Sequence, residues 1–155
     1  MWIDKFVAFE KGVRAVAVKN ISLAEDHLHD HFPGYPTMPA SLLIEGMAQT
    51  GGVLVGDAFD FEEKVILAKV ARAVFHREVG PGDQVLLTAE VVDRIRPEGA
   101  TIRGRIETGD GSPVADVSLL FVHLDNSQTT EEYGEGNFVF HEDFLRLLKT
   151  TMVDL

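Results

Sequence analysis

In the run HDHFPGYPTMPASLLIEGMAQTGG, His29 to Gly52, a histidine sits ahead of a proline-rich turn, and a lone carboxylate, Glu45, lies in the apolar stretch that follows. Histidine exchanges its proton near neutral pH, and a carboxyl group among apolar neighbours favours its protonated, donating form. His31 as base and Glu45 as acid form a pair suited to moving two protons in one reaction. Gln49 follows Glu45 by four residues, so on a helix the amide shares its face and can orient the carboxylate.

The surrounding residues dictate how that pair is held. Pro33, Pro36 and Pro39 each fix φ and remove a donor, and they push Phe32, Tyr35 and Met38 toward extended backbone. No helix runs through 32–38. Gly34 supplies a cheap positive φ, so His31 sits at a rigid bend. From Pro39, suited to a first helical turn, to Gly56 the sequence is apolar on nearly all sides, which predicts a central, enclosed helix and a partly desolvated Glu45. Gly51-Gly52 in that helix reads as a place where another group approaches closely.

Residues 1–10 and 13–20 read as strands joined at Lys11-Gly12, and 64–77, 84–95, 100–108 and 114–124 as four more. Ser22-Leu23-Ala24-Glu25 matches a capping box that announces a short helical turn. One helix among about six antiparallel strands is an α+β arrangement with the sheet wrapped around the helix.

HFPGYPTMPASLLIEGMAQ resembles the active-site signature of the FabZ and FabA type 3-hydroxyacyl-(acyl-carrier-protein) dehydratases, close to HFPGxPxMPGxLxxEAxAQ. IDKFVAFEKGVRAVAVKNIS resembles the first two strands of that family and FHREVGPGDQVLLTAEV its returning strand, so the likeness covers roughly residues 2–124. It implies the hotdog fold, with His31 and Glu45 catalytic and Phe32, Gly34, Met38, Ala40, Ser41 and Gln49 on the substrate. Phe32, Met38, Met47 and Phe75 are candidates for the wall of an acyl tunnel. It further implies no metal and no cofactor, with the acyl group carried on the phosphopantetheine of acyl carrier protein or on coenzyme A. The expected assembly is a homodimer with His31 facing Glu45 of the other subunit, dimers in turn forming trimers of dimers. A cis peptide is expected after His31.

Three departures stand out. No Leu-Pro-His-Arg-like leader precedes Met1-Trp2-Ile3, so part of a pocket wall is expected to be missing. Ala40 replaces the glycine after Met-Pro, where the family uses the backbone N–H on the substrate carbonyl. Residues 125–155 have no counterpart in short family members. A hotdog thioesterase, in which Glu45 activates water, and a non-catalytic acyl-binding protein are the alternatives. His31 argues against the first of these, and Ala40 with the short N-terminus keeps the second open.

At 155 residues with 45% hydrophobic content, the chain suits one domain, expected over 1–124. Residues 125–137 are expected to be a polar connector and 138–155 an amphipathic helix with Phe144, Leu147 and Leu148 on one stripe. The net charge of -11, from 14 Lys+Arg against 25 Asp+Glu, argues against nucleic acid. Docking an acidic carrier protein would need a local basic patch, for which Lys69, Arg72, His76 and Arg77 are the source. The absence of cysteine excludes disulfides, and neither a membrane span nor a signal peptide is evident, which predicts a cytoplasmic protein. His27, His29 and His31 with Asp26 and Asp30 have metal-ligand chemistry, but the capping box sets a helical turn there rather than the strand that would align them.

Overall fold

The computed structural model describes residues 1–124. In chain order these form β1 (Lys5–Glu10), β2 (Arg14–Asn20), α1 (His27–Asp30), α2 (Ala40–Asp57), β3 (Lys64–Phe75), β4 (Gln84–Val91), β5 (Gly99–Thr108) and β6 (Pro113–Leu124). The strands make one six-stranded sheet in the order β1-β2-β4-β5-β6-β3, every neighbouring pair antiparallel. The expected connector and the amphipathic helix of 138–155 lie outside the described residues.

Side-chain alternation explains which face is covered. Along β5, Ile102, Gly104 and Ile106 are buried while Thr101, Arg103 and Arg105 face water. The buried row meets α2, which lies against β2 through β6 and contributes Met47, Val53, Leu54 and Val55 to a core shared with Phe6, Leu87 and Leu119. Each such side chain contributes about 1.5–3 kcal/mol through burial. At Gly51 the helix lies close on the sheet, since a Cβ there would lie 3.1 Å from the Phe121 ring and 3.3 Å from Ile102. The sheet curving around one long helix is the hotdog fold.

Some boundaries differ from expectation for local reasons. Residues 1–4 are not strand, although the Asp4 N–H already reaches the Val18 carbonyl at 2.8 Å. β4 stops at Val91 rather than 95, because the chain turns back through an Asp93–Arg96 ion pair and Pro97 toward Gly99. Of the Ser22–Glu25 capping box one reciprocal bond forms, Ser22 N–H to the Glu25 carboxylate; the Ser22 hydroxyl takes the Ala24 N–H instead of that of Glu25, and α1 itself begins only at His27.

Lys19, on the face of β2 that carries Ala15 and Ala17 into the core, is 8% exposed. Its ammonium sits 2.6 Å from Glu25 and 3.7 Å from Asp4. Burial pushes the Glu25 carboxyl up, but the Lys19 and Ser22 hydrogen bonds outweigh it and hold the group below the ordinary glutamate value. A lowered carboxyl contributes stability above its unfolded value and loses that contribution as pH falls through the folded one. Glu25→Gln is therefore expected to cost about 2 kcal/mol at pH 7, less than the roughly 3–5 kcal/mol of a fully buried pair. Urea melts at several pH values check it, with the gap to wild type narrowing below about pH 4.

Candidate active site

Backbone hydrogen bonds close the loop between α1 and α2 on itself. The N–H groups of Phe32 and Tyr35 each reach the other's carbonyl, at 3.0 and 2.9 Å, with Gly34 between them at φ 77°. The Thr37 N–H reaches the His31 carbonyl at 2.8 Å, and the Met38 N–H ties the loop to Val79 at 2.8 Å. The His31–Phe32 peptide is cis, as the resemblance implied.

His31 Nδ1 lies 2.8 Å from the Thr37 carbonyl oxygen. A carbonyl only accepts, so Nδ1 carries the proton and donates, and Nε2 is left with the free lone pair. The Phe32 ring stacks on the imidazole at 4.1 Å and is itself 53% exposed. Tyr35 donates its hydroxyl to Glu78 at 3.1 Å, and that bond raises the phenol above its ordinary value.

At the start of α2, Pro39 offers no side-chain cap, and the first N–H groups bonded to its carbonyl are those of Leu42 and Leu43. Among the described residues the Ala40 and Ser41 N–H groups have no acceptor, at an exposed helix N-terminus whose dipole favours a negative oxygen. The methyl group of Ala40 leaves that N–H in place.

Glu45 corrects an expectation. The helix is enclosed over Thr50–Gly56, where every residue is buried, but its first half is open on one side, and Glu45 on that side is exposed within the single chain. Its own subunit does not desolvate it. Gln49 does engage it as its spacing suggested, donating from Nε2 to Glu45 Oε1 at 2.9 Å, and the Gln49 Oε1 accepts the Trp2 main-chain N–H at 2.9 Å. No hydrogen bond or ion pair joins His31 to Glu45 within one subunit.

The expected tunnel residues separate. Met38 and Met47 are 3% and 0% exposed and belong to the core, whereas Phe32 and Phe75 are open to solvent. Met38 thus packs inward, drawn there by the bond of its N–H to Val79. The three histidines before the turn also part company: His27 packs against Trp2, His29 reaches the Leu23 carbonyl and His31 that of Thr37. Among the described residues no group of His, Asp and Glu is arranged to hold a metal ion. A cleft of about 960 Å³ between Val92–Thr101 and Leu120–Val122 includes neither His31 nor Glu45, so it is not where this acid and base would act. The Thr37 carbonyl and the Trp2 N–H are main-chain groups that side-chain identity gives no means of finding.

The model of the FabA-like domain matches residues 1–117. The 3-hydroxyacyl-(acyl-carrier-protein) dehydratase FabZ of Listeria innocua is 33% identical over 128 residues, covering 81% of this chain and 87% of its own. That of Pelotomaculum thermopropionicum is 38% identical over 120 residues, covering 77% and 84%. Among solved structures, a thioesterase superfamily member from Thermus thermophilus superposes with a TM-score of 0.64 at 15% identity, over 81% of this chain and 90% of that one. A hypothetical thioesterase from Streptococcus pneumoniae, solved with coenzyme A, gives 0.63 at 11% over 77% and 84%. These structural likenesses speak for the hotdog fold alone. The match over residues 1–117 and the dehydratase relatives together establish that the chain belongs to the FabA-like dehydratase family.

Proposed function

We propose that the protein is a hydro-lyase that reversibly removes water from a 3-hydroxyacyl thioester, carried on acyl carrier protein, to give the trans-2-enoyl thioester in fatty acid biosynthesis. The observation that carries this reading is the contact of His31 Nδ1 with the Thr37 carbonyl: it fixes the ring and, in the neutral imidazole, leaves Nε2 as the base. His31 Nε2 takes the α-proton, and the electrons move onto the thioester carbonyl oxygen, which the Ala40 and Ser41 N–H groups hold. Glu45 then protonates the departing hydroxyl, directly or through water. Water leaves, the double bond forms, and no net oxidation occurs, so the step needs no redox cofactor. The substrate contacts fall to Phe32, Gly34, Ala40, Ser41 and Gln49.

A shared site fits the same picture. His31 and Glu45 do not meet within one chain, and β3 ends the described sheet with Leu67, Val70 and Phe75 at 37–40% exposure. A twelve-residue strand with an unpaired edge and these apolar side chains is an invitation to pair with another strand. We place the partner's β3 there, bringing His31 of each subunit toward Glu45 of the other and removing water from both. For the carrier, the exposed Lys69, Arg72 and Arg77 offer positive charge to an acidic protein, while His76 is engaged by Asp116 at 2.7 Å. The expected setting remains the cytoplasm.

The assay follows a crotonyl thioester of acyl carrier protein or coenzyme A by the absorbance of its conjugated bond. Loss of that absorbance without release of free thiol is the expected result. Thiol release would replace the reading with thioester hydrolysis, and no turnover over several chain lengths would replace it with acyl binding.

A further inference from the structure

We propose that the main-chain N–H of Trp2 positions the carboxylate of Glu45 by choosing the orientation of the Gln49 amide, which makes the segment ahead of β1 a positioning element for the proton-donating step. This rests on the dehydratase reading given above. A glutamine amide has two unlike ends. Its oxygen accepts from Trp2 N–H at 2.9 Å, so its NH₂ faces Glu45 Oε1 at 2.9 Å. Turned over, the amide would set its oxygen against a carboxylate and its NH₂ against an N–H, two repulsive contacts in place of two bonds. The Trp2 N–H thus decides which way Gln49 points, and Gln49 restrains a carboxylate that is otherwise exposed.

Trp2 is well placed for this. Its ring meets His27 edge-on at 5.1 Å, the next residue, Ile3, is 2% exposed, and the Asp4 N–H is bonded to Val18. The Asp4 carboxylate also accepts from the N–H and the side chain of Asn20 at 2.7 and 2.9 Å. On the helix side, Gly46 lies one turn before Gln49 and leaves room for the approach: a Cβ there would be 3.0 Å from the Trp2 carbonyl oxygen. The missing side chain lets the Trp2 backbone come near enough to reach Gln49.

Proline at position 2 removes the N–H, whereas alanine removes the same indole and keeps it. Trp2→Pro is therefore compared with Trp2→Ala on a crotonyl thioester. The expected result is a kcat about tenfold lower for the proline variant with KM within about twofold, since the carboxylate loses its alignment rather than its substrate. In a Gln49→Met background the difference between the two should vanish, because the relay is already cut. Gly46→Ala, which keeps every polar group but moves the Trp2 backbone away, should lower kcat and likewise lose its effect in Gln49→Met. Equal kcat for Trp2→Pro and Trp2→Ala, or a difference that persists in Gln49→Met, would overturn the proposal. If the wild-type protein does not turn over, the dehydratase reading fails, and the Gln49 side-chain amide signal in ¹⁵N spectra decides the relay. A shift in Trp2→Pro relative to Trp2→Ala supports it, and coincident signals refute it.

Discussion

Replacing His31 by alanine is expected to lower kcat/KM for hydration of a crotonyl thioester by about 10²–10⁴-fold, the usual contribution of one proton-transfer group, with Glu45→Gln falling in the same range. Neither should unfold the protein. His31→Ala gives up one hydrogen bond to the Thr37 carbonyl, worth about 1 kcal/mol, while the Phe32–Tyr35 and Met38–Val79 backbone bonds still close the loop. Glu45→Gln is nearly isosteric, its carbonyl can still accept from Gln49, and the position is exposed, so its melting temperature should stay within a few degrees of wild type. The loss is then chemical. Retention of more than about a tenth of wild-type kcat/KM by either variant would remove that residue from the proton-transfer step.

Mixing the two inactive variants should restore turnover if the site is shared between subunits. In a hybrid, the His31→Ala subunit supplies an intact Glu45 and its partner an intact His31, which completes one of the two sites and leaves the other doubly broken. Random exchange makes half of the dimers hybrids, so recovery should approach about a quarter of the wild-type rate. Light scattering at micromolar concentration must first give the mass of a dimer or a larger assembly. Recovery that stays at background after labelled subunits have demonstrably exchanged would refute the shared site.

Much of this geometry was legible in the sequence. Three prolines and a glycine within 32–39 define the loop, and the central helix, expected from Pro39 to Gly56, runs from Ala40 to Asp57. The strands fell within a few residues of expectation because alternation such as that of β5 survives in the folded burial pattern. Exposure was harder to read. The enclosure of α2 holds over Thr50–Gly56, but the apolar residues of its first half hide that this half is open on the side of Glu45. The partners of the covered Lys19 were not legible either, since Glu25 and Asp4 arrive from elsewhere in the chain to pair with it. The separation of Met38 and Met47 from Phe32 depends on which way a chain turns after a backbone bond to Val79, and composition does not encode that. Backbone groups are the deepest omission: Thr37 sets the imidazole proton and Trp2 the glutamine amide, each through an atom that every non-proline residue possesses.

The placement of β3 has a consequence for the order in which the molecule is made. Its neighbour in the sheet is β6, with Lys64 opposite Leu124 and Phe75 opposite Ala115, so the strand waits for the last part of the described chain before it gains a partner. On a ribosome, β1, β2 and α2 emerge early, while the apolar strand that follows stays unpaired until nearly fifty further residues have been added. Its solvent-facing edge is therefore fixed only once β6 has docked on the opposite side. Until then both edges of this strand are open to another chain, so correct meeting of subunits through its outer edge depends on β6 docking before a second nascent chain does.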